Sequence, residues 1–310
     1  MKVLLTGGSG QVGQALQATA PAVFAAESLQ LWAPGRAHLD LSDPQACRAA
    51  VLAWKPDWVI NAGAYTAVDQ AEREPELAAA INAEAPGAMA QGLLELQASG
   101  GSPRRMLQLS TDFVFDGHQG SPYAPESPLA PLGVYGSTKA GGERAVLELL
   151  GGHGSAHILR TSWVYGPVGR NFCLTMLRLH RQRAERREPL PVVADQVGCP
   201  TNTTGLAAAC WQVLAQVHAG QTLAPILHWS DAGAASWFDF ALAIGELGQA
   251  VGVLDQSAEV LPITTAEYLT PVERPKYSLL DCTATRAALQ LPAEPWRRAL
   301  EAVLGQLVAA

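Results

Sequence analysis

The sequence predicts an α/β chain: a doubly wound parallel sheet with a smaller C-terminal α/β lobe. Three observations carry that expectation. Short apolar runs alternate with longer helical patterns up to about residue 160, the rhythm of βαβ units whose helices cover both faces of a sheet. A glycine-rich turn, 6-TGGSGQVG-13, follows the first apolar run directly. After residue 165 the rhythm changes to helical stretches separated by short strands.

KVLLT at 2–6 reads as the first buried strand. A helix starts near Gln11 and stops before Pro21, because proline cannot continue it. LQLWA at 29–33 is a second strand, Pro44 to Trp54 a helix with proline in its first turn, and DWVINAG at 57–63 a third strand. Glu76 to Ala98 reads as one long alanine-rich helix, and MLQLS at 106–110 as another buried strand. Tyr135 to Leu150 is helical and AHILR at 156–160 a strand. Beyond these, helices are expected over 171–183, 203–218, 236–248 and 296–309, with strands at 190–193 and 226–229. The proline-rich stretches 118–132 and 262–276 read as loops. Residues 1–165 are therefore expected to form a dinucleotide-binding domain. Residues 166–310 are expected to form mainly a substrate-binding lobe, with segments such as 226–229 returning to the main sheet.

A chain of 310 residues that is 48% hydrophobic has enough apolar material for a full core. Its net charge of −7 argues against nucleic acid as a partner, since that needs a basic face. The densest charge run, 181-RQRAERREP-189, mixes signs and reads as a solvated helix end. Cysteines at 47, 173, 199, 210 and 282 form no Cys-x-x-Cys pair, and the odd number speaks against a disulfide framework. A reducing, cytoplasmic setting fits. The histidines make no metal-ligand pattern, and no metal is expected. The first apolar run is too short for a signal peptide, and no apolar run reaches membrane-spanning length.

Gly7, Gly10 and Gly13 give the spacing G-x-x-G-x-x-G between a strand and a helix start. Glycine there lets a pyrophosphate approach the helix N-terminus, where amides and dipole favour an anion. At the end of the second strand stands Ala33-Pro34-Gly35-Arg36, with no acid to bind both ribose hydroxyls of NAD. Arg36 is placed to meet a 2′-phosphate, so NADPH is the expected cofactor, with NADH as the alternative. Asp40 and Leu41 fall where an adenine amino group and ring face would be held.

The strand at 106–110 runs into Ser110-Thr111-Asp112, and Tyr135 and Lys139 follow four residues apart. On a helix that spacing puts both side chains on one face. A tyrosine of pKa ~10 trades protons poorly at neutral pH, and a neighbouring ammonium would lower it. Thr111, Tyr135 and Lys139 behind a glycine loop resemble the short-chain dehydrogenase/reductase superfamily, and the glycine spacing resembles its extended, Rossmann-like branch. The resemblance implies Tyr135 as proton donor, Lys139 on the nicotinamide ribose, and Thr111 as hydrogen-bond donor to the same carbonyl oxygen.

The segments 61-NAGAYTAVDQAEREPELAAAIN-82, 109-LSTDFVFDG-117, 160-RTSWVYG-166, 195-DQVGCPT-201 and 270-TPVERPKYSLLD-281 narrow this further. They resemble the dTDP-4-dehydrorhamnose reductase family almost from end to end. The resemblance implies NAD(P)H-dependent reduction of the C4 ketone of dTDP-4-dehydro-6-deoxy-L-mannose, a nucleotide-sugar substrate, in rhamnose biosynthesis for cell-surface polysaccharide. It implies cofactor contacts at Gly10, Gln11, Val12, Asp40, Leu41, Ala64, Tyr65 and Thr66, and substrate contacts at Thr111, Asp112 and Trp163. Some members bind Mg²⁺ through glutamates at a homodimer contact, but the matching first-helix position here is Ala or Gln. The rivals are an epimerase or dehydratase of the same fold, or a non-catalytic regulatory subunit. Asp112-Phe113 after the threonine lacks the second carboxylate that a dehydratase needs.

Overall fold

Six parallel strands build the main sheet: β1 Lys2–Thr6, β2 Gln30–Trp32, β3 Trp58–Asn61, β4 Arg105–Thr111, β5 Ala156–Thr161 and β6 Ile226–Trp229. Their spatial order is β6-β5-β4-β3-β1-β2. This computed structural model describes residues 1–24, 27–100 and 103–309. The chain leaves β1 toward one edge and returns for β3 on the other side of β1, so the strand order reverses between β1 and β3. Doubly wound sheets bind ligands at such a crevice.

The strands are apolar along their whole length because both faces are covered. Val3, Leu5, Trp58, Ile60, Leu107 and Leu109 face one core. Leu4, Val59, Met106 and Ile158, offset by one residue, face the other. Helix α1 Gln11–Ala18 covers the first face. Helices α2 Pro44–Trp54, α3 Ala85–Ala98 and α4 Val134–Leu150 cover the second. Helix α2 starts where Asp43 accepts a hydrogen bond from the Ala46 amide with Pro44 in the first turn, and ends at Lys55 in the left-handed region.

One expectation needs correction. The stretch 76–98 is not a single α-helix: a helix at Pro75–Ala79 passes through a π-helical turn, Ala80–Glu84, before α3. Pro86 lacks the N–H that would extend a regular ladder backwards. Asn82 in that turn is buried. Its side chain accepts from the Tyr65 amide at 2.9 Å and donates to the Tyr65 carbonyl at 3.0 Å and the Thr138 hydroxyl at 3.1 Å. The wide turn thus ties the loop after β3 to α4.

The second lobe has its own core. Helices α5 Phe172–Arg186, α7 Trp237–Ala250 and α9 Trp296–Ala309 enclose Cys173, Met176, Leu177, Phe240, Ile244 and Leu300. Leu190–Val193 pairs in parallel with Val260–Ile263, so the stretch expected as a loop from 262 begins as strand. Two-residue strands at Val164–Tyr165, Val197–Gly198, Thr201–Asn202 and Ala235–Ser236 were not foreseen; they exist only because a partner lies alongside. Two later segments belong to the main sheet: β6, as expected, and helix α6 Thr203–His218, whose Leu206, Trp211 and Leu214 join the core beneath α1. Helix α8, Thr283–Leu289, adds Leu289 to that core. Among the described residues no helix is long and apolar enough to cross a membrane.

Candidate active site

A cleft of about 780 Å³ opens at the carboxyl ends of β1, β3, β4 and β5. Its floor starts at the glycine loop. Gly7 has φ +69°, in the region that favours glycine, and a Cβ there would stand 2.6 Å from the Gly63 amide nitrogen. A Cβ at Gly13 would collide with the Gly7 carbonyl oxygen. The loop is therefore pressed against its own helix and against the turn after β3. That leaves the first amides of α1 open to the cleft, where a phosphate group finds donors and the positive end of the helix dipole. Ser110 and Thr161 line the same cleft, and their buried hydroxyls have no hydrogen-bond partner among the described residues. An open amide cradle and unpartnered donors suit a long polar ligand such as a dinucleotide.

Most of the sequence-predicted residues meet here. Gly7, Gly10, Gln11, Val12, Gly13, Arg36, Asp40, Leu41, Ala64, Thr66, Thr111, Tyr135, Lys139 and Trp163 all line this cleft. Tyr65 does not. Its hydroxyl donates to Glu74 at 2.6 Å, pointing the ring away from the cleft while its neighbours Ala64 and Thr66 face it. Asp112 also sits outside the wall. It is buried behind Thr111, whose hydroxyl donates to Asp112 Oδ1 at 3.0 Å. Burial pushes the Asp112 carboxyl up to about 6, against the Ser278 and Thr111 hydroxyls, which pull it down. Arg36 stands at the rim with its Nε 3.2 Å from Asp40. Asp40 is held below the usual carboxylate range by the Ser42 amide and hydroxyl and by Arg36.

The reacting groups stand on β4 and α4. Thr111 ends β4, and Tyr135 and Lys139 lie one turn apart on α4. The expectation that Lys139 lowers the tyrosine pKa does not hold in this geometry. Lys139 Nζ donates to the Leu109 carbonyl at 2.7 Å instead. Burial pushes the Tyr135 phenol up to about 12; the Thr111 hydroxyl pulls it down and the Asp112 charge pushes it up. Burial likewise lowers Lys139 to about 8, opposed by Glu143 one turn further along. Glu143 is itself paired with Arg160 of β5 at 2.7 Å, both fully buried, and Arg160 lies over the Phe115 ring at 5.2 Å.

Trp163 takes φ +47°, an unfavourable conformation for a large side chain, costing about 1–3 kcal/mol. The strands on either side fix it: Val164–Tyr165 pairs with Thr201–Asn202, and the Trp163 carbonyl accepts from the Thr201 amide at 3.2 Å. The ring stacks on Trp237 with centroids 3.5 Å apart and planes 8° off parallel. Gly63, Ser162 and Arg170 are among the cleft residues not singled out from the sequence. The only signal for Arg170 was a cation beside glycines in 166-GPVGR-170.

The sequence profile described as "RmlD substrate binding domain" matches residues 1–309. The chain is 40% identical over 297 residues to the dTDP-4-dehydrorhamnose reductase of Streptomyces griseus, covering 96% of this chain and 91% of that protein. It is 38% identical over 310 residues to a probable dTDP-4,6-dihydroxy-2-methyloxan-3-one 4-ketoreductase of Streptomyces antibioticus, covering 100% and 97% of the two chains. Its fold is similar to that of the dTDP-4-dehydrorhamnose reductase of Bacillus anthracis, solved in complex with NADP, with TM-score 0.83, 32% identity and coverage of 98% and 99%.

Proposed function

The chain belongs to the family of dTDP-4-dehydrorhamnose reductases, and from that membership we infer that it reduces the C4 ketone of dTDP-4-dehydro-6-deoxy-L-mannose to dTDP-L-rhamnose. The observation that carries the reading is the convergence of Thr111, Tyr135 and Lys139 on one wall of a cleft whose other end is the glycine loop. NADPH is the cofactor, and when bound it supplies the hydride.

The chain's own residues account for the rest. Gly7 to Gly13 and the first amides of α1 would hold the diphosphate, Asp40 and Leu41 the adenosine, and Lys139 with Ser110 and Thr161 the nicotinamide end. Tyr135 holds the proton that the ketone oxygen needs as it becomes an alkoxide. A phenol at about 12 stays loaded at neutral pH and is still acidic enough to protonate an alkoxide. Thr111 stands beside it, able to turn its hydroxyl from Asp112 to the substrate oxygen. Phe113 fills the position of a dehydratase's second carboxylate, its ring edge-on to Tyr135 at 5.6 Å, which favours simple carbonyl reduction over elimination. The second lobe, with Trp163 at its edge, would bind sugar and nucleotide. Five buried free thiols fit work in the reducing cytoplasm.

A second reading has one observation behind it: the Streptomyces antibioticus relative bears the name of a different dTDP-sugar 4-ketoreductase. Incubation with NADPH and dTDP-4-dehydro-L-rhamnose, followed by NMR of the product, separates the two. Consumption of NADPH with formation of dTDP-L-rhamnose is expected. No turnover on that ketone, with turnover on a less oxygenated one, would favour the second reading.

A further inference from the structure

We propose that Arg170, carried by the second lobe, is the counter-charge for the diphosphate of the bound dinucleotide. The proposal rests on the reductase reading above and adds to it a residue that reaches the cofactor from the opposite lobe.

Three cations line the cleft. Arg36 is bonded to Asp40, and Lys139 is buried with its ammonium on the Leu109 carbonyl. Arg170 lines the same cleft and is exposed, with no hydrogen-bond or ion-pair partner among the described residues. Among the described residues Asp40 is the one carboxylate on the cleft wall, and its arginine is Arg36. No described residue therefore neutralises Arg170, and the complementary ligand there is an anion.

Its position identifies which anion. Gly169 has φ +80°, and a Cβ there would stand 3.5 Å from Gln11 Cβ and 4.0 Å from the Gln11 amide nitrogen. That amide opens α1, so Arg170 is one residue from the donors that receive a diphosphate. The contact is built rather than incidental. Gln11 Nε2 donates to the Val164 carbonyl at 3.1 Å, and Asn171 Nδ2 donates to Gln11 Oε1 at 3.1 Å. Asn171 also caps α5 through the Leu174 amide and bonds the Gly166 carbonyl at 2.9 Å. The segment 164–171 is thus laced to the glycine loop, and its Arg170 lines the cleft. A 2′-phosphate would belong near Pro34 and Arg36, at the other end.

Equilibrium titration of NADPH, NADH and dTDP onto the full chain tests this without turnover. The variants are Arg170→Gln and Arg170→Lys; the side chain is exposed, so the fold should tolerate both. A charge-assisted contact open to solvent should be worth about tenfold in affinity. Arg170→Gln is expected to weaken NADPH and NADH alike by about that factor, Arg170→Lys to recover part of it, and dTDP to be unaffected. Unchanged dinucleotide affinity overturns the proposal. So does a loss confined to NADPH, which would put Arg170 on the 2′-phosphate, or a loss confined to dTDP, which would put it on the substrate. A wild-type chain that binds neither dinucleotide would overturn the reductase reading itself.

Discussion

Tyr135 keeps its proton because burial disfavours a phenolate, and that suits the proton-donor role proposed for it. Tyr135→Phe removes the donor and leaves the ring against Phe113. Turnover should fall by about 10² to 10⁴, with NADPH affinity unchanged, as read from steady-state rates and binding titration. Asp112 behind Thr111 shows the cost of placing a charge there. Its carboxyl ionises near 3.8 when unfolded and at about 6 when folded. Between those values the folded chain holds a proton that the unfolded chain has lost, so stability falls as pH rises through the window. Asp112→Asn should therefore stabilise the protein by about 1–3 kcal/mol at pH 7 and not at pH 4, measured by denaturant titration. Catalysis should suffer, because the same carboxylate orients the Thr111 hydroxyl.

Helix α4 is the element that assembles the site. Its N-cap is Gly133, which has no side chain to offer, and the Val134 amide donates instead to Glu72 at 2.7 Å. Tyr135, Lys139 and Glu143 then recur every fourth residue along one stripe. Glu143 serves two cations, bonding Arg160 and favouring the charged form of Lys139. Glu143→Gln would leave Arg160 buried without its counter-charge, and a loss of about 3–5 kcal/mol is expected in thermal or denaturant unfolding. Lys139 loses its charge as pH rises through about 8. The alkaline limb of kcat/KM should lie there in the wild type and move to lower pH in Glu143→Gln. A limb that stays in place would remove Glu143 from the support of Lys139.

At the scale of the molecule, the two lobes share material. The chain past residue 165 returns β6 to the edge of the sheet and lays α6 beneath α1, where Trp211 Nε1 donates to the Leu16 carbonyl at 3.2 Å. A fragment of residues 1–165 would expose the face that Leu206, Trp211 and Leu214 cover. We expect it to lack a cooperative thermal transition in circular dichroism. A fragment that folds cooperatively would establish 1–165 as an autonomous domain.

The sequence by itself determined the sheet, most helix limits and most of the named residues that line the cleft, because local rules govern each of them. Strands buried on both faces must be continuously apolar, a helix that starts at Pro44 and one that fills 203–218 announce themselves, and Gly7, Thr111, Tyr135 and Lys139 lie within single elements or next to one. Tertiary structure decided what depends on a distant partner. It turned Tyr65 toward Glu74, and it sent the Lys139 ammonium to Leu109 rather than to the phenol. It put a π-helical turn inside an apparently unbroken helix so that Asn82 could satisfy the Tyr65 backbone. It brought Arg170 to the glycine loop across nearly the full width of the cleft-forming segments in sequence. A hydrogen bond or an ion pair forms where two side chains meet in space, and a one-dimensional pattern encodes only the half of that meeting that each residue carries.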